Sequence, residues 1–471
     1  MDGDVLLRGV ECHPARSALR GGLLDVRIRA GVIAEIGPQL QPQGDELDVR
    51  ADGGALLPGL ADHHLHLAAM AAHATSLDLS GVSQDGLAAA VSGAAAGEDG
   101  WVRAVGYDDV VHGELDRDVL DWWSHGVPVR VQHRSGALWV VNSVGLERLG
   151  VRECAALGVH AGGVELDGAG RATGRLWRAD AWLRTAVGGR PPSLRAVGAR
   201  LAALGVTHVA DATPDAGTAG VVAEAVQRGE LPQRVMVMAS EADPTRVSVG
   251  PLKLVVADHA LPDLDDLAER MRTAHAAGRP VAVHCVTRTA LALTLAALDQ
   301  AGGLDGDRVE HCAVADLAAA KELAARGIRV VTQPTLVALR GDDYWARTEP
   351  EDRPDLWRYG GLLRAGVQAA PSSDAPYGDP DPWACLRAAN ERRTPSGRVL
   401  GPEERVPVRT VLDGLLSPLH DPGGPPRRIA PGEPADLVLL DRPLTQALRL
   451  PDAGCVRATF IGGRVVYGDV G

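Results

Sequence analysis

The sequence predicts an α/β protein built on a (β/α)8 TIM barrel, with a small β-sandwich domain and a subdomain inserted after barrel strand 1. In the middle of the chain, short apolar runs alternate with Ala- and Leu-rich stretches of helical spacing. Strand-like segments occupy both ends of the chain, and more than 100 residues separate the first two apolar runs of the middle. A doubly wound open sheet is the alternative that strand counting leaves open.

The two ends of the chain share one texture, in which short alternating segments are joined by glycine-containing turns. Val26 and Ile28 alternate with polar residues, and the IGGR sequence at 461–464 is typical of a hairpin. We therefore expect one small β domain assembled from both segments. The predicted divisions are the first part of the small β domain (1–56), barrel strand 1 with its loop (57–80), an inserted capping subdomain (81–194), the rest of the barrel (195–420) and the second part of the small β domain (421–471).

Composition narrows the class of protein. Of the 471 residues, 45% are hydrophobic and 23% are charged, which is typical of a globular protein. A net charge of −13 argues against a nucleic-acid partner, and no apolar run approaches the roughly 18–20 residues that span a membrane. The first residues lack the pattern of a secretion signal, and the cysteines are scattered without a CxxC pair. We therefore expect a cytoplasmic protein, with a homodimer as the default assembly.

A pair of histidines ends the first apolar run of the middle region, LLPGLADHHLHL. In a strand, side chains at i and i+2 lie on one face, so His64 and His66 converge while His63 points away. Two converging imidazoles suit a metal such as Zn²⁺. An HxH pair alone also occurs without any metal, so further ligands are needed.

Further candidate ligands end other predicted strands. His284 ends PVAVHC, His311 ends RVEHC, and Asp374 follows the last apolar run in QAAPSSDAP. Side chains at the carboxyl ends of barrel strands gather around one mouth of the barrel. The sequence therefore predicts a metal centre there.

Lys253 lies within an apolar strand, PLKLVVAD, where an ammonium group is costly. The chain contains one other lysine, Lys321, although arginine is abundant. A lysine amine can lose its proton on burial and react, whereas a guanidinium group cannot. We therefore expect Lys253 to be carbamylated by CO₂ and to bridge two cations. A salt bridge to Asp374 or to a helix end is the structural alternative.

Taken together, these segments resemble the amidohydrolase superfamily over nearly the whole chain. The strand-end histidine segments, PSSDAPYGDPDPW and the closing RIAPGEPADLVLLD all resemble its motifs. WVRAVGYD and VQHRSGALWVVNSVGLERLG resemble the subgroup that contains N-substituted formamide deformylases. Two departures concern the substrate region, since this chain has Gly136-Ala137 for a Gly-His pair and Cys285-Val286-Thr287-Arg288 after the strand-end histidine.

The resemblance implies one divalent metal, most suitably Zn²⁺, held by His64, His66 and Asp374. It implies a second metal held by His284 and His311, with the carbamylated lysine bridging both. The activity implied is hydrolysis of a non-peptide C–N bond in an amide, formamide or cyclic amide, with Asp374 as general base.

A deaminase of a ring C–N bond and a non-catalytic relative remain alternatives. The expected partner is a small-molecule substrate, with neither nucleic acid nor membrane. His133 and Trp139 flank the HRSG turn of the insertion and are the best candidates for substrate contact. The alternative is that the tryptophans of the insertion form the core of that subdomain.

Overall fold

The computed structural model describes residues 4–13, 22–151, 163–188, 191–257, 260–468 and 470. One of the scattered cysteines, Cys154, lies outside the described residues. The chain forms a larger unit, Met1–Leu67 with Ser193–Gly471, and a smaller unit, Ala68–Pro192. Within the described part of the chain, no helix combines the length and the apolarity needed to cross a membrane.

The strands are β1 (Val5–Cys12), β2 (Leu24–Arg29), β3 (Val32–Gly37), β4 (Leu47–Arg50), β5 (Ala55–Pro58), β6 (Leu60–Leu65), β7 (Leu77–Asp78), β8 (Val102–Tyr107), β9 (Val129–His133), β10 (Leu138–Val141), β11 (Val164–Leu166), β12 (Ala172–Trp177), β13 (Val206–Asp211), β14 (Arg234–Val237), β15 (Ser248–Val249), β16 (Leu252–Val255), β17 (Val281–Cys285), β18 (Arg308–His311), β19 (Arg329–Thr332), β20 (Ala369–Pro371), β21 (Leu437–Leu440), β22 (Val456–Ile461) and β23 (Arg464–Gly468).

The α-helices are α1 (Leu67–Ala74), α2 (Leu87–Ser92), α3 (Asp109–His112), α4 (Arg117–Ser124), α5 (Ser143–Arg148), α6 (Asp180–Val187), α7 (Arg195–Ala203), α8 (Ala216–Gln227), α9 (Leu264–Ala276), α10 (Arg288–Ala301), α11 (Leu317–Ala325), α12 (Pro334–Arg347), α13 (Tyr359–Arg364), α14 (Pro382–Glu391), α15 (Val408–Leu415) and α16 (Leu444–Ala447).

Strands from both ends of the chain form one eight-stranded sheet, in the order β23-β22-β21-β5-β1-β2-β3 with β4 beside β1. Strand β1 changes partners along its length, pairing with β4 through its first residues and with β5 through Glu11 and Cys12. Apolar residues of both halves bury a common core, including Val26, Ile28 and Phe460. The sheet is therefore continuous through β1, and its two halves share one core. The small β-sandwich domain expected from the sequence stays a prediction.

The parallel strands of the larger unit form two sheets, β15-β14-β13-β6 and β16-β17-β18-β19-β20. Backbone hydrogen bonds link the two sheets at both ends. Asp374 N donates to His64 O at 2.8 Å, and Lys253 N donates to Met238 O at 2.9 Å. The described strands do not make one continuous ladder, so a closed eight-stranded barrel stays a prediction. The carboxyl ends of these parallel strands nevertheless bring the predicted ligands together, as described below.

Helices follow the parallel strands through short, capped turns. Thr287 caps α10 two residues after β17, and Asp316 caps α11 after β18. Each cap side chain accepts a hydrogen bond from a backbone N–H of the first helical turn, which would otherwise lack a partner. These caps fix where each helix begins after the strand that carries a candidate ligand.

The smaller unit has its own six-stranded sheet, in the order β11-β12-β10-β9-β8-β7. Its tryptophans differ in environment, because Trp101 and Trp139 are buried in a core beside Leu176 while Trp122 is 85% exposed. Core packing therefore explains the burial of Trp101 and Trp139, as in the alternative that the tryptophans of the insertion form the core of that subdomain. The predicted domain boundaries themselves stay predictions.

Candidate metal centre

Three side chains from the two parallel sheets converge at the carboxyl ends of the strands. His64 lies in β6, His66 follows that strand, and Asp374 follows β20 with a left-handed φ of 56°. Asp374 Oδ1 lies 3.5 Å from His64 Nε2 and 3.4 Å from His66 Nε2. These residues form a candidate metal-binding group in which the three ligand atoms lie within 4.8 Å of one another.

The spacing of these atoms fits a small divalent cation. Ligands at about 2.0–2.1 Å from a tetrahedral Zn²⁺ lie about 3.3 Å from one another. The two distances to Asp374 Oδ1 are close to that value. Two imidazoles and one carboxylate also form the mixed N/O donor set that Zn²⁺ accepts, with Mn²⁺ and Fe²⁺ as alternatives. The residues present therefore fit the metal that the sequence analysis predicted.

The second nitrogen of each imidazole is held by a neighbouring oxygen. His64 Nδ1 is hydrogen-bonded to Glu310 Oε2, and His66 Nδ1 lies 2.9 Å from Thr213 Oγ1. Such contacts fix the ring orientation of metal-binding histidines. Both histidines therefore direct Nε2 toward Asp374.

The other predicted ligands lie next to this group. Lys253 is 4% exposed, and its Nζ is 3.4 Å from His64 Nε2. The ring of His311 lies 4.8 Å from that of His64 and 4.5 Å from that of His284. The structure thus brings all six predicted metal-site residues into one region, although their binding of a metal stays a proposal.

Burial and neighbouring charges together shift the pKa values of the residues at the candidate metal centre. Burial, followed by the charge of Lys253, lowers the pKa of His64 to about 3, so that its imidazole is in the neutral form that binds metals. Burial also lowers the pKa of Lys253 below its ordinary value, which favours the free amine. Burial alone would raise the pKa of Asp374, but a hydrogen bond from His66 and the nearby imidazoles hold it below its ordinary value.

Glu310 is a site residue that sequence reasoning missed. The alternation of a strand places Glu310 and His311 on opposite faces, so assigning His311 to the site excludes its neighbour. In the structure, His311 has a left-handed φ of 69°, which breaks the alternation at the end of β18. Both side chains consequently approach His64. Positive φ is uncommon outside glycine, and nothing in the local sequence predicts it at His311.

Buried polar residues support the remaining ligands. Gln333 Oε1 accepts a hydrogen bond from His311 Nδ1 at 2.8 Å, and Gln333 Nε2 donates to Ser372 Oγ at 2.9 Å. Beneath the histidine pair, Asp62 accepts hydrogen bonds from the backbone N–H groups of His64 and Ser373. Burial raises the pKa of Asp62 to about 6. These contacts connect β6, β18, β19 and β20 below the candidate metal centre.

The two predicted substrate contacts lie in the smaller unit. His133 Nε2 is 3.1 Å from Asp109 Oδ1, and His133 Nδ1 is 2.7 Å from Ser135 Oγ. Trp139 is 5% exposed, and its Nε1 donates to Asp180 Oδ1 at 2.9 Å. Core packing thus explains the burial of Trp139, and a role of either residue in substrate binding stays a prediction.

Arg288 follows the candidate ligand His284 and is engaged by acidic residues. Its guanidinium group forms ion pairs of 2.6–2.7 Å with Asp316, Asp352 and Asp355. These residues belong to the segments that follow β17, β18 and β19. Arg288 therefore ties those segments together, and its charge is already matched by three carboxylates.

Comparisons with known proteins agree with this arrangement. A family model described as the amidohydrolase family matches residues 49–467. No curated protein matches the chain.

Solved structures are similar in fold. An uncharacterised metal-dependent hydrolase from Pyrococcus horikoshii OT3 superposes with a TM-score of 0.75 at 18% identity, covering 96% of this chain and 100% of that chain. A second one, from Pyrococcus furiosus, gives 0.71 at 19% identity, with 93% and 99% covered. N-isopropylammelide isopropylaminohydrolase from Burkholderia multivorans ATCC 17616 gives 0.53 at 16% identity, with 98% of each chain covered. These likenesses support an α/β fold of the TIM-barrel type.

Proposed function

Because this chain belongs to the amidohydrolase family, we propose that it hydrolyses a non-peptide C–N bond in an amide, formamide or cyclic amide. The observation that carries the proposal is the convergence of His64, His66 and Asp374 at a spacing that suits one divalent cation. Family membership supports metal-dependent hydrolysis. The type of bond that is cleaved and the class of substrate are our proposal.

We assign the cation to His64 Nε2, His66 Nε2 and a carboxylate oxygen of Asp374, and take Zn²⁺ as the metal. His284 and His311 supply the ligands for a second ion. When bound, a cation supplies Lewis-acid chemistry, because it lowers the pKa of water and polarises the scissile carbonyl. The remaining steps are assigned to side chains of the protein.

Lys253 is proposed to bridge the two ions after carbamylation. The neutral amine would attack CO₂, forming an N–C bond and releasing one proton, and the product would carry one negative charge. The burial of Lys253 and its lowered pKa support the free amine that this reaction requires. Its Nζ also lies beside His64 Nε2, at the face of the imidazole assigned to the metal.

Asp374 is proposed as the general base. Its carboxylate accepts a proton from the attacking water and returns it to the leaving nitrogen, so the proton count balances over one turnover. Position supports this role, because Oδ1 faces both Nε2 atoms of the histidine pair. The lowered pKa keeps this carboxylate ionised at neutral pH, which is the protonation state that a general base requires.

The substrate class is proposed from the sequence segments that resemble N-substituted formamide deformylases. These segments lie in the smaller unit, which also contains the proposed substrate contacts His133 and Trp139. An N-substituted formamide contains one scissile C–N bond and gives formate and an amine on hydrolysis. We therefore expect compounds of this kind to be turned over ahead of dipeptides.

The test is a substrate screen with protein reconstituted with Zn²⁺, Mn²⁺ or Fe²⁺. The panel contains N-formyl amines, N-acyl amines, cyclic amides, aminated heterocyclic rings and Xaa-Pro dipeptides. We expect release of an amine from the formamide or amide compounds, and loss of turnover in a His64→Asn/His66→Asn variant.

Ammonia released from ring substrates alone would replace the proposal with a deaminase, and dipeptide turnover alone would replace it with a peptidase. Protein that binds no metal after reconstitution would contradict the hydrolase proposal itself.

A further inference from the structure

Glu310 is a fully buried carboxylate with one partner on each oxygen, the charged guanidinium group of Arg308 on one and the neutral imidazole of His64 on the other. It lies in β18 at 0% exposure, with Oε1 2.5 Å from Arg308 Nε and Oε2 against His64 Nδ1. Arg308 is itself 1% exposed and also donates through Nη2 to His63 O and to Met238 Sδ, each at 3.1 Å. The arginine is thereby fixed in place, and it leaves one oxygen of Glu310 available for the imidazole.

This arrangement decides which nitrogen of His64 is free. A carboxylate can only accept, so the hydrogen of the neutral ring must lie on Nδ1. The lone pair is then on Nε2, which faces Asp374 and Lys253. Glu310 approaches the opposite edge of the ring, so it is not placed as a ligand for the ion.

The group that contacts Nδ1 of His64 is charged, whereas the groups that contact Nδ1 of His66 and His311 are neutral. His66 Nδ1 meets a hydroxyl group of Thr213, and His311 Nδ1 meets an amide oxygen of Gln333. A charged acceptor makes a stronger hydrogen bond than a neutral one and raises the basicity of the imidazole. Of these three histidines, His64 is therefore the one oriented by a buried ion pair.

Stability alone does not explain the ion pair. Burying two charges is unfavourable, and apolar residues of similar volume are commonly as stable or more so. Within the described residues, the hydrogen bonds of the carboxylate go to Arg308 and to one group with a proposed chemical task, the imidazole of His64. Its charge also acts on Lys253. Orientation of that ring is the function that the contacts support.

We propose that Glu310 and Arg308 form a positioning pair that holds His64 with Nε2 directed at the metal. The inference rests on the proposed function, because it assumes that His64 binds a cation. It assigns Glu310 as a positioning residue acting through His64, and it assigns Arg308 to orient Glu310.

The test measures Zn²⁺ affinity of the metal-free full-length chain by competition with a chelator. Glu310→Gln keeps the size of the side chain and removes its charge. We expect it to weaken binding by about 10–100-fold, as is typical for the loss of such a partner. The d–d spectrum of the Co²⁺-substituted protein should also change, and kcat should fall while KM stays within about twofold.

A double-mutant cycle separates positioning from general structural support. In a His64→Asn background, Glu310→Gln should change Zn²⁺ affinity by less than about twofold, because its effect passes through His64. The matched control is Glu404→Gln, since Glu404 is 1% exposed and pairs with Arg358 and Arg364 without contacting a candidate ligand. That variant should lower the melting temperature without changing Zn²⁺ affinity.

If Glu310→Gln does not fold, Arg308→Lys replaces it, because lysine keeps the charge but loses the fixed Nε contact. We then expect a smaller loss of affinity in the same direction. A folded variant with wild-type affinity, or equal losses in both backgrounds, would overturn the positioning pair. Wild-type protein that binds no Zn²⁺ would instead overturn the proposed function.

Discussion

Asp374 combines two tasks at the scale of a single residue, because one oxygen faces both histidines while the carboxylate is assigned the proton transfer. Its backbone N–H donates to His64 O in β6, which holds Asp374 beside the histidine pair. The left-handed φ of this residue turns the side chain out of the line of β20 and toward the histidine pair. A substitution that preserves the shape of Asp374 can therefore separate its proposed role in metal binding from its proposed role in proton transfer.

Asp374→Asn is expected to keep most metal binding and to lose activity. The amide retains one oxygen donor but cannot accept a proton, so kcat should fall by about 10²–10⁴. The measurement is kcat together with bound metal per chain, and the pH–rate profile should lose its acidic limb if that limb reports Asp374. Near-native kcat with normal metal content would transfer the base to another residue, and His133 would be tested next.

Lys253→Arg is expected to be as inactive as Lys253→Ala, although arginine is also a long basic side chain. A guanidinium group cannot be carbamylated, so metal content should drop in both variants. Metal analysis and assays with and without added bicarbonate check this, and a short carboxylic acid should partly rescue Lys253→Ala. Lys321→Arg, a change at an exposed lysine on α11, is the matched control and should leave both quantities unchanged. An active Lys253→Arg enzyme with full metal occupancy would exclude the carbamate.

The sequence could predict which residues gather at the candidate metal centre, because residue type and position both carry information, while their binding of a metal stays a proposal. His64 and His66 share a face by strand geometry, and His284 and Asp374 stand at strand ends. Glu310 could not be predicted, since its approach to His64 depends on the φ of 69° at His311. Thr213 and Gln333 were missed for another reason, because neutral hydrogen-bonding residues at strand ends are common and carry no specific signal.

At the scale of secondary-structure elements, α4 shows how a helix ends without glycine. Its C-terminal cap is His125, an exposed residue with a left-handed φ of 48°, followed by Gly126 with a φ of 82°. A side chain in this conformation costs about 1 kcal/mol, which glycine avoids.

His125→Gly is therefore expected to stabilise the protein by up to about 1 kcal/mol. Gly126→Ala is the control with the opposite expected effect. An added Cβ would meet nothing within 4 Å, so only the left-handed backbone conformation would be unfavourable for alanine. Thermal denaturation and hydrogen exchange of α4 should show a gain for the first variant and a loss for the second. A loss for His125→Gly would show that its side chain contributes more than the backbone strain removes.

The elements were more predictable than their connections. Strand-end motifs and capped helices placed β17, α10, β18 and α11 in order, because capping and periodicity are local signals. The ion pairs of Arg288 join segments that lie far apart in sequence, so its three partners carried no local signal. The sharing of β1 between two halves of a sheet was missed for the same reason.

At the scale of the whole molecule, metal binding and stability are linked. A cation that binds only the folded state raises the free energy of unfolding by about 2.7 kcal/mol when its free concentration is 100 times its Kd. Chelator treatment should therefore lower the Tm by several degrees, and Zn²⁺ should restore it. The shift should shrink in His66→Asn, which removes one ligand of the candidate metal centre. A Tm that ignores both chelator and Zn²⁺ would contradict a metal site in the folded protein.

The continuous sheet also sets an order of events during synthesis. Strand β5 pairs with β1 on one side and with β21 on the other, and β21 is translated after all the parallel strands of the larger unit. At a translation rate of 5–20 residues/s, the β21-facing edge of β5 waits roughly 20–80 s for its partner. An unpaired apolar edge is a template for association between chains. Neighbouring nascent chains on one polysome therefore expose the same unpaired edge of β5 close to one another. A ribosome stall before residue 437 prolongs that exposure.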